Sequence, residues 1–480
     1  MGTNTLPDGF QNEYLLIGNA MDLWGALVTA DVWHLRWYMY TGYWPWGLYA
    51  APWPFMAILG PTRLAMILGN LIHLGVLIIA VNHMTRRLGG RWGVLLVCLC
   101  PGVFGTLVRF EPNLAAIAWT AAGLAALISS QGLEKQRAVW LFGACFGLGL
   151  MMDRLSVAFF LLPALIPLLI SVSRRGLINL CQAAALTLLL TAAYYREFFL
   201  RHSGEILSQA TTGEIDSTGA LTEAPALIEW AYYPLTLIDS QAGPILGFVL
   251  LCGLLGRRSQ ARTILMASVL GGVAFFTFIS KNQVFYTLPI LGPLAVLASL
   301  RPRLALVGVA GGLWSFSSVG LGLAPGGPWL PEAWVSPRHT VARPPIALDV
   351  DIEPALSALS ESTESPKHIA VLSGDRLLFE GFLLLLTRER WPGTPARGVV
   401  MDPHGTFEMF HEMDAFLWVG PTGEPWPSSA QIEATMRANH TDPATMPPAP
   451  RIVEAQQESF QEVGRWTASD SRDLVVFRRR

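Results

Sequence analysis

Residues 63–84 read RLAMILGNLIHLGVLIIAVNHM, and residues 85–91 continue TRRLGGR. The first stretch is long enough to cross a bilayer, whose hydrocarbon core of about 30 Å takes about 20 apolar residues of helix. The second carries Arg86, Arg87 and Arg91 in one short turn. An apolar helix ending on a basic turn reads as a span whose end faces the cytoplasm. The same unit recurs along the chain. Spans are expected near 63–84, 91–108, 112–130, 138–152, 155–173, 177–197, 243–256, 262–280, 284–300 and 303–322. In lipid each must be helical, because an unpaired backbone N–H or C=O has no water to turn to.

The connections agree with this reading. Alternate ones carry Arg86/Arg87/Arg91, Lys135/Arg137, Arg174/Arg175, Arg257/Arg258/Arg262 and Arg301/Arg303, 12 basic residues on one side. The opposite short connections carry only Arg109, Arg154 and Lys281. Residues 1–60, the loop at about 198–242 and the tail after 323 are then expected outside. An outward N-terminal segment needs a signal or a preceding helix. Residues 1–30 supply neither, since Glu13, Asp22 and Asp31 interrupt the apolar run, so one further helix upstream is expected.

Composition points the same way. The 480 residues are 52% hydrophobic and 14% charged, against roughly a quarter charged in soluble domains. A net charge of -2 gives no bias toward polyanions, which argues against nucleic acid as a partner, and so hydrophobic a chain is not disordered. Residues 1–324 hold 19 basic and 14 acidic side chains, whereas residues 325–480 hold 14 and 21. Two regions with different solvents are therefore joined near residue 325. The five cysteines (Cys98, Cys100, Cys145, Cys181 and Cys252) all lie in apolar stretches, so neither a disulfide framework nor a zinc site is expected.

Four segments follow: an acidic and aromatic-rich region over 1–60, a helical bundle over 61–323, a Pro/Gly-rich linker over 324–346, and an outward domain over 347–480. Within the first, WHLRWYMYTGYWPWGLYAAPWPF (33–55) is dense in Trp, Tyr and Pro. Such residues favour the headgroup level, and short interfacial helices are expected there. In the tail, HIAVL (368–372), RGVVM (397–401), AFLWVG (415–420) and DLVVF (473–477) read as strands around the helical pattern RLLFEGFLLLLTRER (376–390). That alternation predicts a small α/β sheet. The fold class is thus mainly α, a polytopic transmembrane bundle with a C-terminal α/β domain.

Ionisable groups in very short turns at a membrane surface are costly and mark candidate sites. RFEPN (109–113) carries Arg109 and Glu111, MMDR (151–154) carries Asp153 and Arg154, and Lys281 opens KNQVFYTLP (281–289). The plain alternative is that such charges set topology, pair with each other or snorkel. For Asp153 and Arg154 mutual neutralisation accounts for the pair. For Glu111 the following Pro112 starts a helix, which fixes the carboxylate at a helix N-terminus and favours a functional role. For Lys281 the two readings are evenly matched. His73 and His83 read as structural, and His34 and His202 are a weak metal signal.

Taken in order, these landmarks resemble the bacterial protein O-mannosyltransferase and aminoarabinose-transferase-like family of C-type-fold membrane glycosyltransferases. Its first outward loop usually opens with Asp-Glu before a Tyr-rich helix; QNEYLLIGNAMDL (11–23) keeps Glu13 and has Asn12 in place of the Asp. Its Pro-rich step is matched by LYAAPWPF (48–55), with Pro52 and Pro54 but no Lys. Its second acidic turn is matched by Glu111. A Gly-rich helix ending in Thr-Lys corresponds to GLGLMMDRLS (147–156), with Asp153 and Arg154 at that pair. A late Arg before a Tyr-x-x-Pro step is matched by Lys281, Tyr286 and Pro289. The expected upstream helix falls where the family has its first span.

The resemblance implies an enzyme at the outer face of a bacterial inner membrane that moves a sugar from a polyprenyl-phosphate donor to an envelope acceptor. An inverting transfer needs a carboxylate to deprotonate the acceptor hydroxyl and cations to steady the departing phosphate. By resemblance Glu13 is the base, and Glu111 positions the acceptor or touches a divalent metal ion, which the family reading allows without requiring. Lys281, Arg154 and Arg109 face the phosphate, with Asp153 and Tyr286 completing the substrate site. Two rivals differ in pattern. A transporter or flippase would place charge near the midplane on broken helices in repeated halves. A non-catalytic scaffold would place its working surface on the tail.

Overall fold

The computed structural model describes residues 5–6, 11–41, 44–153, 155–212, 226–256, 259–278, 284–320, 346–347, 352–360, 368–373, 383, 387, 396–398, 410–424, 426–439, 453, 455–469 and 472–480. The linker over 324–345, most of the 376–390 helical pattern, Arg154 and Lys281 lie outside the described residues. The chain divides into two compact units, one of residues 1–18 with 345–480 and one of residues 19–344.

The larger unit is helical. Helix α1 (Gln11–Val28) runs into it, and α2 (Val32–Thr41) follows. Asp31 caps α2: its carboxylate accepts the backbone N–H of His34 at 3.1 Å and meets the imidazole Nδ1 at 2.6 Å. The aromatic-rich segment folds as two short helices, α3 (Trp46–Ala50) and α4 (Trp53–Leu59). Pro52 separates them, and Gly60 at φ 74° ends the second, a left-handed conformation that other side chains resist.

Among the described residues three helices are long and apolar enough to cross a membrane: α5 (Arg63–Arg87), the Arg174–Leu200 part of α11 (Arg174–Thr212), and α14 (Gln260–Phe278). Each of the other seven expected spans holds shorter helices. Pro101 breaks the second into α6 (Gly93–Cys98) and α7 (Pro101–Leu107). The third to fifth are α8 (Asn113–Ser129), α9 (Gln136–Leu150) and α10 (Ser156–Leu169), the last holding Pro163 and Pro167. Helix α12 (Ala226–Thr236) enters a π-helical turn, Leu237–Gln241, before α13 (Pro244–Cys252). The ninth begins as a 3-10 turn, Val284–Ile290, and becomes helical only in α15 (Leu291–Ser299). The tenth, α16 (Pro302–Ser315), ends in a second π turn, Phe316–Gly320. Prolines and irregular turns thus divide what hydropathy reads as continuous.

One buried apolar core joins these helices, with Leu77, Leu124, Leu161, Leu250 and Leu294 all fully shielded. Close helix contact depends on missing side chains: a Cβ on Gly272 of α14 would collide with the Phe160 ring of α10. Nearby, Phe159 and Phe275 stack with centroids 3.7 Å apart. The described residues of the five basic turns lie at one end. Arg91 donates its N–H to Ser299 O at 3.1 Å, and the Arg301 guanidinium donates to Leu255 O. Asn179 donates to Leu133 O at 2.8 Å and Glu134 O at 3.2 Å, and Gly132 lies beside Gln260.

The smaller unit holds a five-stranded sheet of order β4-β3-β5-β7-β6. Its strands are β3 (Ile369–Ser373), β4 (Ala396–Gly398), β5 (Ala415–Pro421), β6 (Phe460–Ser469) and β7 (Arg472–Arg479). Strand β3 runs parallel to β4 and β5, while β7 is antiparallel to both β5 and β6. Every residue of β3 is buried, as expected for a central strand covered on both faces. Phe416, Trp426 and Phe477 centre its core, with Trp426 and Phe477 edge-to-face at 4.6 Å. A two-stranded pairing of β1 (Thr5–Leu6) with β2 (Ile346–Ala347) belongs to the same unit. The four apolar runs read from the tail account for β3, β4, β5 and β7. Strand β6, which carries Glu462 and Arg465 among its apolar residues, was not among them.

Candidate active site

The RFEPN turn between α7 and α8 is held from below by α5. Asn70, 1% exposed, donates its side-chain amide to the carbonyls of Thr106 at 3.3 Å, Leu107 at 3.0 Å and Arg109 at 2.6 Å. These carbonyls include the unsatisfied C-terminal acceptors of α7, so one polar side chain closes a helix and fixes the loop that follows. Phe110 packs its ring inside, and Arg109 and Glu111 are both buried. Pro112 then starts α8, and the Asn113 amide donates to Glu111 Oε2 at 2.7 Å. A guanidinium and a carboxylate two residues apart are thereby held in a water-poor setting at the end of the helices away from the basic turns.

A second turn follows α9. Asp153 is buried and its N–H donates to Gly149 O at 2.9 Å, continuing the helix by one residue. Tyr195 of α11 donates its hydroxyl to Leu150 O at 3.1 Å, in an aromatic cluster with Tyr194 and Phe198. The short helices of the aromatic segment pack on the second turn and on α5. Gly47 of α3 sits so close to Met151 that a Cβ there would collide with the Met151 carbonyl. Pro52 packs on Gly69 of α5, at 3.0–3.1 Å from where a Cβ would stand and next in sequence to Asn70. Asn19 of α1 donates to the buried Tyr49 hydroxyl at 3.2 Å, tying α1 to the same segment.

The expected site residues are distributed as follows. Arg109 and Glu111 share one turn, and Asp153 lies on another, the turn on which Gly47 of α3 packs. Tyr286 is half-buried on the 3-10 turn, stacked on Phe276 with centroids 4.9 Å apart and the rings 3° from parallel. Glu13 lies on α1 within the other unit, and its side chain lies outside the described residues, as do Arg154 and Lys281. For a divalent metal the donor set decides. Among the described residues no group of three or more His, Cys, Asp or Glu side chains converges, so they do not build a metal site.

Sequence reasoning passed over two features. Asn70, in an apolar run, carries no visible signal because its role depends on a turn 36 or more residues away. The π turn holds Asp239, Ser240 and Gln241, all buried, with the Gln241 amide donating to Thr287 Oγ1 at 3.2 Å. The sequence signal was available: an Asp and a Gln in YYPLTLIDSQAGP (232–244), a stretch otherwise read as loop. π turns inside helices recur at functional positions.

Three comparisons with known proteins bear on this geometry. The family model described as dolichyl-phosphate-mannose-protein mannosyltransferase matches residues 45–195, from the aromatic segment to α11. No curated protein sequence matches. The apo crystal structure of ArnT from Cupriavidus metallidurans shares the fold: TM-score 0.54, 11% identity, 98% of this chain and 93% of that one covered. The structure of the same protein bound to undecaprenyl phosphate matches at TM-score 0.46 and 14% identity, over 90% and 87% of the two chains.

Proposed function

We propose that this chain, which resembles the protein mannosyltransferase and aminoarabinose-transferase-like family, moves a sugar from a polyprenyl-phosphate donor to an envelope acceptor. It does so at the outer face of a bacterial inner membrane. The fold shared with ArnT and the family match over 45–195 support the glycosyltransferase class. The name of the matched family, a dolichyl-phosphate-mannose enzyme, supports a lipid-phosphate donor. The observation that carries the reading is the pinned turn on which a buried arginine and a buried glutamate stand together. Ionisable groups at helix ends beside a membrane surface are costly and rare, which makes them candidate functional positions.

In the proposed reaction the acceptor hydroxyl attacks the anomeric carbon as a carboxylate, Glu13, takes its proton. The carbon–oxygen bond to phosphate breaks and the phosphate leaves with the electron pair, inverting the centre. Arg109, with Arg154 and Lys281, stabilises the charge gathering on the leaving oxygen; Arg does so with two parallel N–H donors and Lys as a point charge. Glu111, Asp153 and Tyr286 orient the acceptor and sugar. The ten expected spans are retained in this reading. The basic turns lie inside and the C-terminal unit outside.

The test is sugar transfer measured on membranes containing Glu13→Gln or Glu111→Gln. Loss of transfer by about 10²-fold or more, with normal insertion, is expected for a positioned carboxylate. Wild-type rates in both variants would remove the reading.

A further inference from the structure

The end of the helical unit opposite Glu111 carries a charge imbalance that transfer chemistry does not use. Helix α13 ends at Gly253, and two arginines from different helices close it. Arg262 of α14 donates Nη2 to Gly253 O at 2.5 Å, and Arg301, at the start of α16, donates to Leu255 O. Arg262 is 5% exposed, and its Nε has no hydrogen-bond partner among the described residues. The two carbonyls that these guanidiniums hold are two residues apart in the chain. Among the described residues no carboxylate pairs with either.

The magnitudes leave a surplus. A helix C-terminus presents roughly half a negative charge, against two full positive ones. A buried charge without a counter-charge costs several kcal/mol, so a partner anion is favoured. Its character follows from what surrounds the arginines. Arg301 is exposed, with donors left to offer. The 89–91 turn runs beside it through the Arg91 to Ser299 bond, and brings Trp92, an exposed indole of the kind that sits at headgroup level. Leu255, whose carbonyl Arg301 holds, is itself 64% exposed and offers an apolar surface. A fork of N–H donors beside exposed apolar groups suits an amphiphile with a phosphodiester head; basic pockets between membrane helices bind such lipids.

We infer that this end of the bundle binds the headgroup of an anionic phospholipid, gripped by Arg301 with Arg262 as the buried charge behind it. The site is distinct from the proposed donor site. Helix α8, whose 17 residues span about 25 Å, separates the Glu111 turn from the Gly132–Gln260 contact at this end.

The experiment measures the thermal midpoint of the full chain in detergent after adding phosphatidylglycerol, phosphatidylcholine or inorganic phosphate. Phosphatidylglycerol is expected to raise the wild-type midpoint by a few degrees over phosphatidylcholine, as for any ligand of the folded state alone. Arg301→Gln should lose most of that increment and Arg301→Lys should keep part of it. Arg175→Gln, an exposed arginine at the start of α11, should keep all of it. Each variant is read against its own midpoint in phosphatidylcholine, so a general loss of stability cancels. Equal increments from the two lipids, an equal effect of inorganic phosphate, or an equal loss in Arg175→Gln would each overturn the site. Native mass spectrometry of the wild type gives a second reading: retained phosphatidylglycerol supports the inference, and retention of neither lipid rejects it.

Discussion

Arg109 is the most direct residue-level probe of the phosphate reading. Its carbonyl is fixed by Asn70 and its side chain is buried. Lysine keeps the charge and loses the planar fork. Arg109→Lys is expected to raise the KM for the donor about thirtyfold, or about 2 kcal/mol, within the 1.5–3 kcal/mol of a charged hydrogen bond, with less change in kcat. A donor titration checks this. Asp31 gives a pH prediction. The His34 backbone N–H, then its imidazole, hold the Asp31 carboxyl below the usual carboxylate range. A depressed carboxylate stabilises above its unfolded pKa and loses that contribution as pH falls through the folded one. The protection of α2 amides, corrected for the intrinsic pH dependence of exchange, should therefore hold steady from neutrality to the ordinary Asp value of 3.8 and fall below it. In Asp31→Ala the lower protection should already be present at neutral pH.

Legibility at this scale followed sequence distance. Glu111 was visible because Pro112 beside it announces a helix start, a relation readable within two residues. Asn70 was not, since its meaning lies in carbonyls at 106, 107 and 109. Asp239 was readable by type but misplaced by context, because a π turn looks like a loop to any hydropathy window.

Among elements, the packing of the aromatic segment on the 151–153 turn makes a sharp prediction. Gly47→Ala would drive a methyl group into the Met151 carbonyl, so backbone must move. The expected cost is about 1–3 kcal/mol, as for overpacking elsewhere, seen as a lower thermal midpoint. Asn70 is tested by an isosteric pair. Asn70→Asp replaces the donor with an acceptor facing three carbonyls and should cost more than Asn70→Leu, which only leaves the carbonyls unpaired at about 1–3 kcal/mol. Faster hydrogen exchange at 106–113 would mark the loosened turn; unchanged exchange in both variants would refute the role given to Asn70. The apolar runs located the helices of the larger unit. They did not reveal the breaks at Pro101, at the 3-10 turn or at the π turns, because lipid and protein interior look alike to hydropathy, and irregular backbone is tolerated where neighbours satisfy it.

For the whole molecule, the charge balance changes near residue 325, and the structure divides into two units that meet in sequence at residues 344 and 345. That residues 1–18 group with the C-terminal unit had no sequence signal. The two-residue pairing of Thr5–Leu6 with Ile346–Ala347 spans nearly the full helical unit in sequence. The central claim is that this molecule breaks a sugar–phosphate bond on a polyprenyl lipid. The direct measurement incubates the purified full chain with a panel of polyprenyl-phosphate sugars and an envelope extract, and quantifies released polyprenyl phosphate. The account predicts release with at least one donor, matched by sugar appearing on an acceptor and abolished in a Glu13→Gln, Glu111→Gln double variant. Release with no donor, or release undiminished in the double variant, would contradict it.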